Sequence, residues 1–273
     1  MMPLLSVISY NRKAETLATL RSLQETGAMF AADCYYVDNG STDGTFEAVS
    51  EAADREGWPL RFWQNPQNIG CPAALNQVLE YRESGQHFIK VDNDVELVTQ
   101  SWIMYLCQLL DDNLEIAIAS PWYEELETSN QGRLVADHGY WHEYFPVVGH
   151  CAIHAGWFLD QVGYFDVLSD DHLYGFEDLL MAHRAAACGF KCAVDRRVKL
   201  RNIQRKNSLD SSAHSGESRE QHVARLRSLY DQRRSMSHLI KGNYYVSRSG
   251  RWHNKATDPM PDVADDFPPE RNL

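Results

Sequence analysis

Asp92-x-Asp94 closes a short apolar run, Phe88-Ile89-Lys90-Val91. Side chains alternate along an extended chain, so the two carboxylates face one way and could share a cation. Their hard oxygens suit Mg²⁺ or Mn²⁺, ions that keep several waters and bridge to substrate phosphates. The same residues would also make a solvated acidic turn, and spacing alone does not separate the two. Asp38 opens a second polar cluster, Asp38-Asn39-Gly40-Ser41-Thr42-Asp43-Gly44, which by itself needs no function beyond turning the chain. Glu177-Asp178 stands where a helix is expected to start. An ionised carboxylate there, favoured by the helix dipole, could take a proton from an attacking hydroxyl. Two capping acids are the competing reading.

The elements that must position these acids alternate. Leu4-Leu5-Ser6-Val7-Ile8-Ser9-Tyr10 reads as a strand, and a helix with Leu17, Leu20 and Leu23 on one face follows to Gly27. Cys34-Tyr35-Tyr36-Val37 and Leu60-Arg61-Phe62-Trp63 are further strands, each followed by a helix, from Thr45 to Gly57 and from about Pro72 to Glu83. The run ending at Val91 is the fourth strand. This alternation predicts an α/β fold with a mostly parallel sheet and helices on both faces. Ligands of such sheets sit beyond the carboxyl ends of the strands, so residues 9–12, 38–43 and 92–94 should converge on one edge. Residues 102–148 are less regular: a helix near Trp102-Leu110, a strand near Ile116-Pro121, then an aromatic stretch that fits either strand pairs or a loop. Helix returns over Glu177-Ala187 and ends at Gly189, before the alternating Val198-Leu200.

Five segments lie in the order and spacing of a known family: Val7-Ile8-Ser9-Tyr10-Asn11-Arg12, Val37 to Thr45, Asn68-Ile69-Gly70-Cys71-Pro72-Ala73-Ala74-Leu75-Asn76, Val91-Asp92-Asn93-Asp94 and Tyr174-Gly175-Phe176-Glu177-Asp178. Over residues 4–203 the chain resembles the inverting family 2 glycosyltransferases of the GT-A fold. The resemblance implies transfer of a sugar from a nucleotide-diphosphate donor, a UDP-sugar being favoured, to an acceptor hydroxyl. It implies that Ser9, Tyr10, Arg12 and Asp38 hold base and ribose, and that Asn68, Gly70 and Asn76 line the same side. Asp92 and its neighbour Asn93 would approach the donor, with Asp94 as principal ligand of a Mn²⁺ or Mg²⁺ cofactor. Asp178 would be the general base beside Glu177. The run Gly149-His150-Cys151-Ala152-Ile153-His154-Ala155-Gly156-Trp157 also resembles the family, with small residues near Gly149 and Gly156 admitting the donor sugar and Trp157, His150 and His154 as acceptor-side candidates. Core packing is the alternative for those aromatic and histidine side chains; His172 and His183 lie near the Glu-Asp pair, and His183, at helical spacing with Arg184, reads as structural or exposed.

One departure stands out. Many members place a histidine metal ligand at the end of the strand after the Glu-Asp helix, where this chain has Asn202. An amide oxygen can serve Mg²⁺ or Mn²⁺ more weakly, or a histidine such as His214 could supply the contact.

Composition bounds the rest. The chain has 273 residues, 26 Lys+Arg against 38 Asp+Glu, and a net charge of -12, which argues against a surface that coats nucleic acid or anionic membrane. The charge is uneven, because residues 204–255 carry 11 basic residues and 4 acidic ones. Three parts follow: a GT-A domain over 1–203, a basic loop, helix and hairpin extension over 204–255, and an acidic proline-rich tail over 256–273, expected to be flexible. The basic part suits a helix face packed on the acidic body, a lid closing from 205–217 over the donor, or a dock for an anionic acceptor. The six cysteines (Cys34, Cys71, Cys107, Cys151, Cys188, Cys192) form no C-x-x-C pair, and no apolar run approaches the roughly 18 residues of a membrane span. The first residues lack the charged start of a signal peptide, so a cytoplasmic protein is expected. The acceptor stays open among saccharide, lipid-linked sugar, protein and modified nucleic acid base. Two other functions compete: a non-catalytic nucleotide-sugar binding module, and a sugar-1-phosphate nucleotidyltransferase, for which the loop Ser9-Tyr10-Asn11-Arg12-Lys13 lacks a glycine.

Overall fold

Alternating strand and helix build the N-terminal half: β1 (Leu4–Ser9), α1 (Lys13–Glu25), β2 (Asp33–Asp38), α2 (Thr45–Glu56), β3 (Leu60–Gln64), α3 (Cys71–Leu79) and β4 (Phe88–Asp92). The structure is a computed structural model and describes residues 1–123, 132–147, 149–203, 219–241 and 244–258. These four strands are parallel, in the order β3-β2-β1-β4. Right-handed crossovers carry α1 and α2 across one face, and the return from β3 to β4 carries α3 across the other. The direction of winding reverses between β1 and β4, so the crevice opens at the ends that carry Ser9 and Asp92.

The second half comprises β5 (Val95–Leu97), α4 (Trp102–Asp112), β6 (Ile116–Trp122), β7 (Arg133–Asp137), β8 (Trp141–Phe145), β9 (Cys151–His154), α5 (Gly156–Val162), α6 (Glu177–Ala187) and β10 (Lys191–Asn202). It extends the sheet as β4-β9-β6-β10-β8-β7, with β5 paired to β10. The aromatic stretch is therefore a strand pair, β7 against β8. Strand β9 runs antiparallel to β4, with Val91 opposite Cys151 and Phe88 opposite His154. The chain thus leaves the crevice at His150, whose carbonyl accepts from the Asp92 amide at 2.8 Å, and reaches the far edge of the sheet at α5.

Polar residues on the buried face of α1 fix the turn after β4. The Thr19 hydroxyl accepts from the Val95 amide and the Ser22 hydroxyl from the Leu97 amide, both at 3.1 Å. These bonds replace water for backbone groups that burial would otherwise strand. Beyond β10 come α7 (Arg219–Met236), a 3-10 turn over Ser237–Lys241, and a hairpin of β11 (Tyr244–Val246) and β12 (Trp252–Asn254). Helix α7 packs on α6 through Leu226 and Tyr230 against Leu180 and Phe176. The hairpin is tied down where the Tyr164 amide donates to the Val246 carbonyl at 2.9 Å and the Trp252 indole donates to Asp166 at 2.7 Å. Among the described residues no helix is long and apolar enough to cross a membrane. The expected lid and most of the tail lie outside the described residues.

Candidate active site

Two loops at the carboxyl edge are laced together. Asn11 donates its amide to the Ser41 hydroxyl at 2.7 Å and accepts from the Thr42 amide at 2.8 Å. Asn11 and Arg12 both adopt positive φ, 57° and 66°, a strained pair that such cross-links sustain. The result aims Arg12 at the next strand end, where its guanidinium donates to Asp94 Oδ2 at 2.6 Å. Ser9 and Asp38 are buried beneath this loop. The Ser9 hydroxyl lies 2.7 Å from the Tyr36 hydroxyl, and Asp38 accepts from the Ser41 amide at 3.0 Å. Tyr10 follows, half-buried. Asn68 accepts from the Asn39 amide side chain at 2.9 Å and from the Gly70 amide at 2.8 Å. Gly70 has φ 91°, and a Cβ there would overlap the His172 carbonyl, so only glycine lets these two segments touch.

At the ends of β4 and β9 three ligating groups converge. One donor atom each from Asp92, Asp94 and His150 lie within 4.8 Å of one another, and His150 Nδ1 is 3.5 Å from Asp92 Oδ2. Burial, then the neighbouring Asp92 charge, raises the Asp94 carboxyl above its usual range despite Arg12. Burial would do the same to Asp92, but Lys90 and His150 outweigh it and hold that carboxyl low. Two carboxylates crowded in a partly buried site, with an imidazole beside them, form a donor set that fits Mn²⁺ or Mg²⁺.

Behind this trio lies Lys90, buried in the middle of β4. Its ammonium donates to Asp178 Oδ2 at 2.7 Å and lies 3.3 Å from Asp92 and 3.8 Å from Glu177. Burial opposes its charge, yet the three carboxylates raise its pKa well above the usual lysine value. Asp178 and Glu177 open α6, which Phe176 enters at φ 70°. Asp178 Oδ1 and Glu177 Oε2 are buried without a hydrogen-bond partner. Burial, then the Asp178 charge, pushes the Glu177 carboxyl up to about 7. The backbone of Gly149 passes so close that a Cβ there would overlap the Asp178 carboxylate.

The structure thus brings Asp92, Asp94, Glu177 and Asp178 together and sets Ser9, Tyr10, Arg12, Asp38, Asn68 and Gly70 along the adjoining edge. Asn76, Asn93, Gly156, Trp157 and His154 lie away from this edge. Asn76 is turned into the core, its amide donating to the carbonyls of Phe165 and Arg248 and accepting from the Phe165 amide. Asn93 turns away from its neighbours and donates to the Thr16 hydroxyl at 2.9 Å. Gly156 and Trp157 sit at the far edge because β9 is antiparallel, with Trp157 packed 4.7 Å from Phe190. His154 is a core residue against Phe88 and Phe165. His172 accepts from the Leu168 amide and meets the Gly175 carbonyl, while His183 meets the Tyr230 hydroxyl. Asn202 ends β10 opposite Val95, and the following Ile203 amide donates to the Asp94 carbonyl at 2.9 Å. His214 lies outside the described residues. Sequence reasoning missed Lys90, and it placed His150 on the acceptor side rather than with the acidic pair.

An α/β sheet with two acids gathered at its switch point, facing two more at a helix start, has the architecture of the GT-A glycosyltransferases. The model of the family described as "Glycosyl transferase family 2" matches residues 5–159, more than half the chain, and the protein belongs to that family. No curated protein matches the sequence. Solved structures share the fold at low identity. GalNAc-T7 with UDP, GalNAc and Mn²⁺ superposes with a TM-score of 0.64 at 13% identity, covering 76% of this chain and 44% of that one. The mannosyltransferase PcManGT from Pyrobaculum calidifontis, in complex with GDP-Man and Mn²⁺, gives 0.59 at 15% identity, covering 88% and 72%. S. aureus TarS gives 0.54 at 19% identity, covering 75% and 37%. The chain therefore spans less than half of GalNAc-T7 and of TarS.

Proposed function

We propose that this glycosyltransferase moves a sugar from a nucleotide-diphosphate donor, a UDP-sugar being favoured, to an acceptor hydroxyl with inversion, and that Asp178 is the general base. One observation carries the reading: Lys90 holds one oxygen of the Asp178 carboxylate, and the other is buried without a protein partner beside the Asp92, Asp94 and His150 cluster. An acceptor hydroxyl meeting Oδ1 would give up its proton as its oxygen attacks the anomeric carbon opposite the departing diphosphate. Lys90 orients the base through its hydrogen bond, and Arg12, next to Asp94, is placed to meet the diphosphate. Mn²⁺ or Mg²⁺ would be held by Asp92, Asp94 and His150, with Asn202 as a further oxygen donor, and would neutralise charge on the leaving group. Ser9, Tyr10, Asp38, Asn68 and Gly70 shape the nucleotide side. GalNAc-T7 was solved with UDP and PcManGT with GDP-Man, so the fold accommodates either base. All six cysteines are free thiols, which fits a reducing, cytoplasmic setting.

Asp178→Asn is expected to keep the fold and donor binding while losing transfer by about 100-fold or more. Transfer near the wild-type rate would remove Asp178 from the mechanism. Slow metal-dependent hydrolysis of donor by the wild type separates an enzyme from a pure binder, which shows none.

A further inference from the structure

A cavity of about 420 Å³ lies between the segment before α6, helix α7 and the β11–β12 hairpin. Arg233 and Arg251 enter it from the last two, and Val167, Leu168 and Trp252 give it an apolar wall. Asp170 stands on its rim.

The charges around this cavity are not used up by the fold. Beneath it, Asp166 is fully buried and already answered by Arg184 at 3.2 Å and by the Trp252 indole. Arg233 lies over the Trp252 ring at 5.5 Å and only 4.0 Å from Asp166, so it retains most of its donor capacity. The guanidinium of Arg251 is exposed and has no ion partner among the described residues. Asp170 is likewise exposed and unpaired among them. Two cations, one anion and an apolar wall do not suit a polyanion, because Asp170 repels a second negative group. They do suit a sugar that carries a single acid. Its acid accepts from the arginine forks, its hydroxyls donate to Asp170, and its C–H face lies on the wall.

The location ties the cavity to the reaction. Arg184, which pairs with the Asp166 that Arg233 and Trp252 also face, follows Asp178 by six residues on α6, about 9 Å at 1.5 Å per residue. An oligosaccharide of several units is longer than that step along the helix.

We propose that this cavity is an acceptor subsite for an acidic sugar unit, a uronate or a sugar phosphate, held between Arg233 and Arg251. Its role as an acceptor site rests on the glycosyl-transfer reading, whereas its ligand chemistry does not.

Calorimetric titration of the full chain, with chelator and without donor, tests it. The probes are a glucuronate-containing tetrasaccharide, N-acetylglucosamine 6-phosphate, neutral maltotetraose and inorganic phosphate. At least one acidic sugar is expected to bind about tenfold or more tighter than maltotetraose and inorganic phosphate, and the stronger of the two identifies the acid. Arg251→Glu, a surface change that spares the core, and Arg233→Gln should each weaken that binding about tenfold or more. Equal binding of maltotetraose, equal binding of inorganic phosphate, no binding of either acidic sugar, or indifference to Arg251→Glu overturns the proposal. The thermal shifts given by UDP and by GDP with Mn²⁺ report the donor side separately. If both are absent while the acidic sugar still binds, the transfer reading fails and the subsite stands as a binding site alone.

Discussion

Lys90 joins the two parts of the proposed site, since one ammonium faces Asp92, proposed to hold the cation, and Asp178, proposed as the base. Without it, Asp92 and Glu177 would hold protons more tightly, because an opposite charge nearby lowers a carboxyl pKa by about 1 to 3 units. Lys90→Met is therefore expected to move the acid limb of the pH profile of kcat/KM upward by about that amount, read by initial rates across pH. An unmoved limb would mean that Lys90 only packs. Gly149 makes a steric demand at the same carboxylate, and Gly149→Ala should cut transfer by about 100-fold through displacement of the base. Unchanged UDP binding and melting temperature would accompany that loss, and full activity would show that the carboxylate relocates freely. The acids were legible in the sequence because period two in a strand puts Asp92 and Asp94 on one side. The same alternation turns Asn93 inward, against its reading as a donor contact. Lys90 stood in plain view within Phe88-Ile89-Lys90-Val91, but its meaning depends on a carboxylate 88 residues further on, and no spacing rule connects them.

Helix α6 carries Asp178 at its first turn and, two turns later, the wholly buried Arg184 that pairs with Asp166. Arg184 also donates to the carbonyls of Val162 and Tyr164, so it fastens the chain that leads from α5 to the site. Arg184→Met leaves the Asp166 charge buried without its main partner and is expected to cost about 3 to 5 kcal/mol in urea unfolding. Adding Asp166→Asn should recover part of the loss, because an amide oxygen still accepts from Trp252 without a charge to bury. No recovery in the double variant would refute the electrostatic account. The first four strands and three helices were legible because hydrophobic period and turn residues alternate cleanly there. Strand β9 was not, because the four-residue run Cys151-Ala152-Ile153-His154 reads the same in either direction. Its antiparallel sense carries Gly156 and Trp157 to the far edge, whereas His150, at its near end, joins the acidic pair.

Across the whole molecule, buried titratable groups set how stability answers to pH. Burial pushes His154 down to about 3 and His172 down to about 4, against an ordinary 6.5. For His172 the Leu168 amide also occupies the ring nitrogen that would take the proton. Between about pH 6.5 and 4 the unfolded chain therefore binds two more protons at these residues than the folded one. Stability falls as the pH drops, by about 1.4 kcal/mol per pH unit for each proton. Glu177 works in the opposite sense. Folded, it keeps its proton up to about 7, whereas the unfolded carboxyl loses it near 4.5, so over that window the folded state holds one proton more. The upward shifts of Asp94 and His150 lean the same way, while the downward shift of His183 sides with the two sealed histidines. From pH 6.5 to 5 the wild type should therefore lose stability shallowly, with net uptake on unfolding of about one proton or less. Glu177→Gln removes the main opposing group and should steepen that loss by about one proton. Urea midpoints and m-values measured at half-unit intervals read both slopes. A variant whose stability stays level or rises on acidification would show that the two histidines accept protons in the folded state, contrary to their sealed positions.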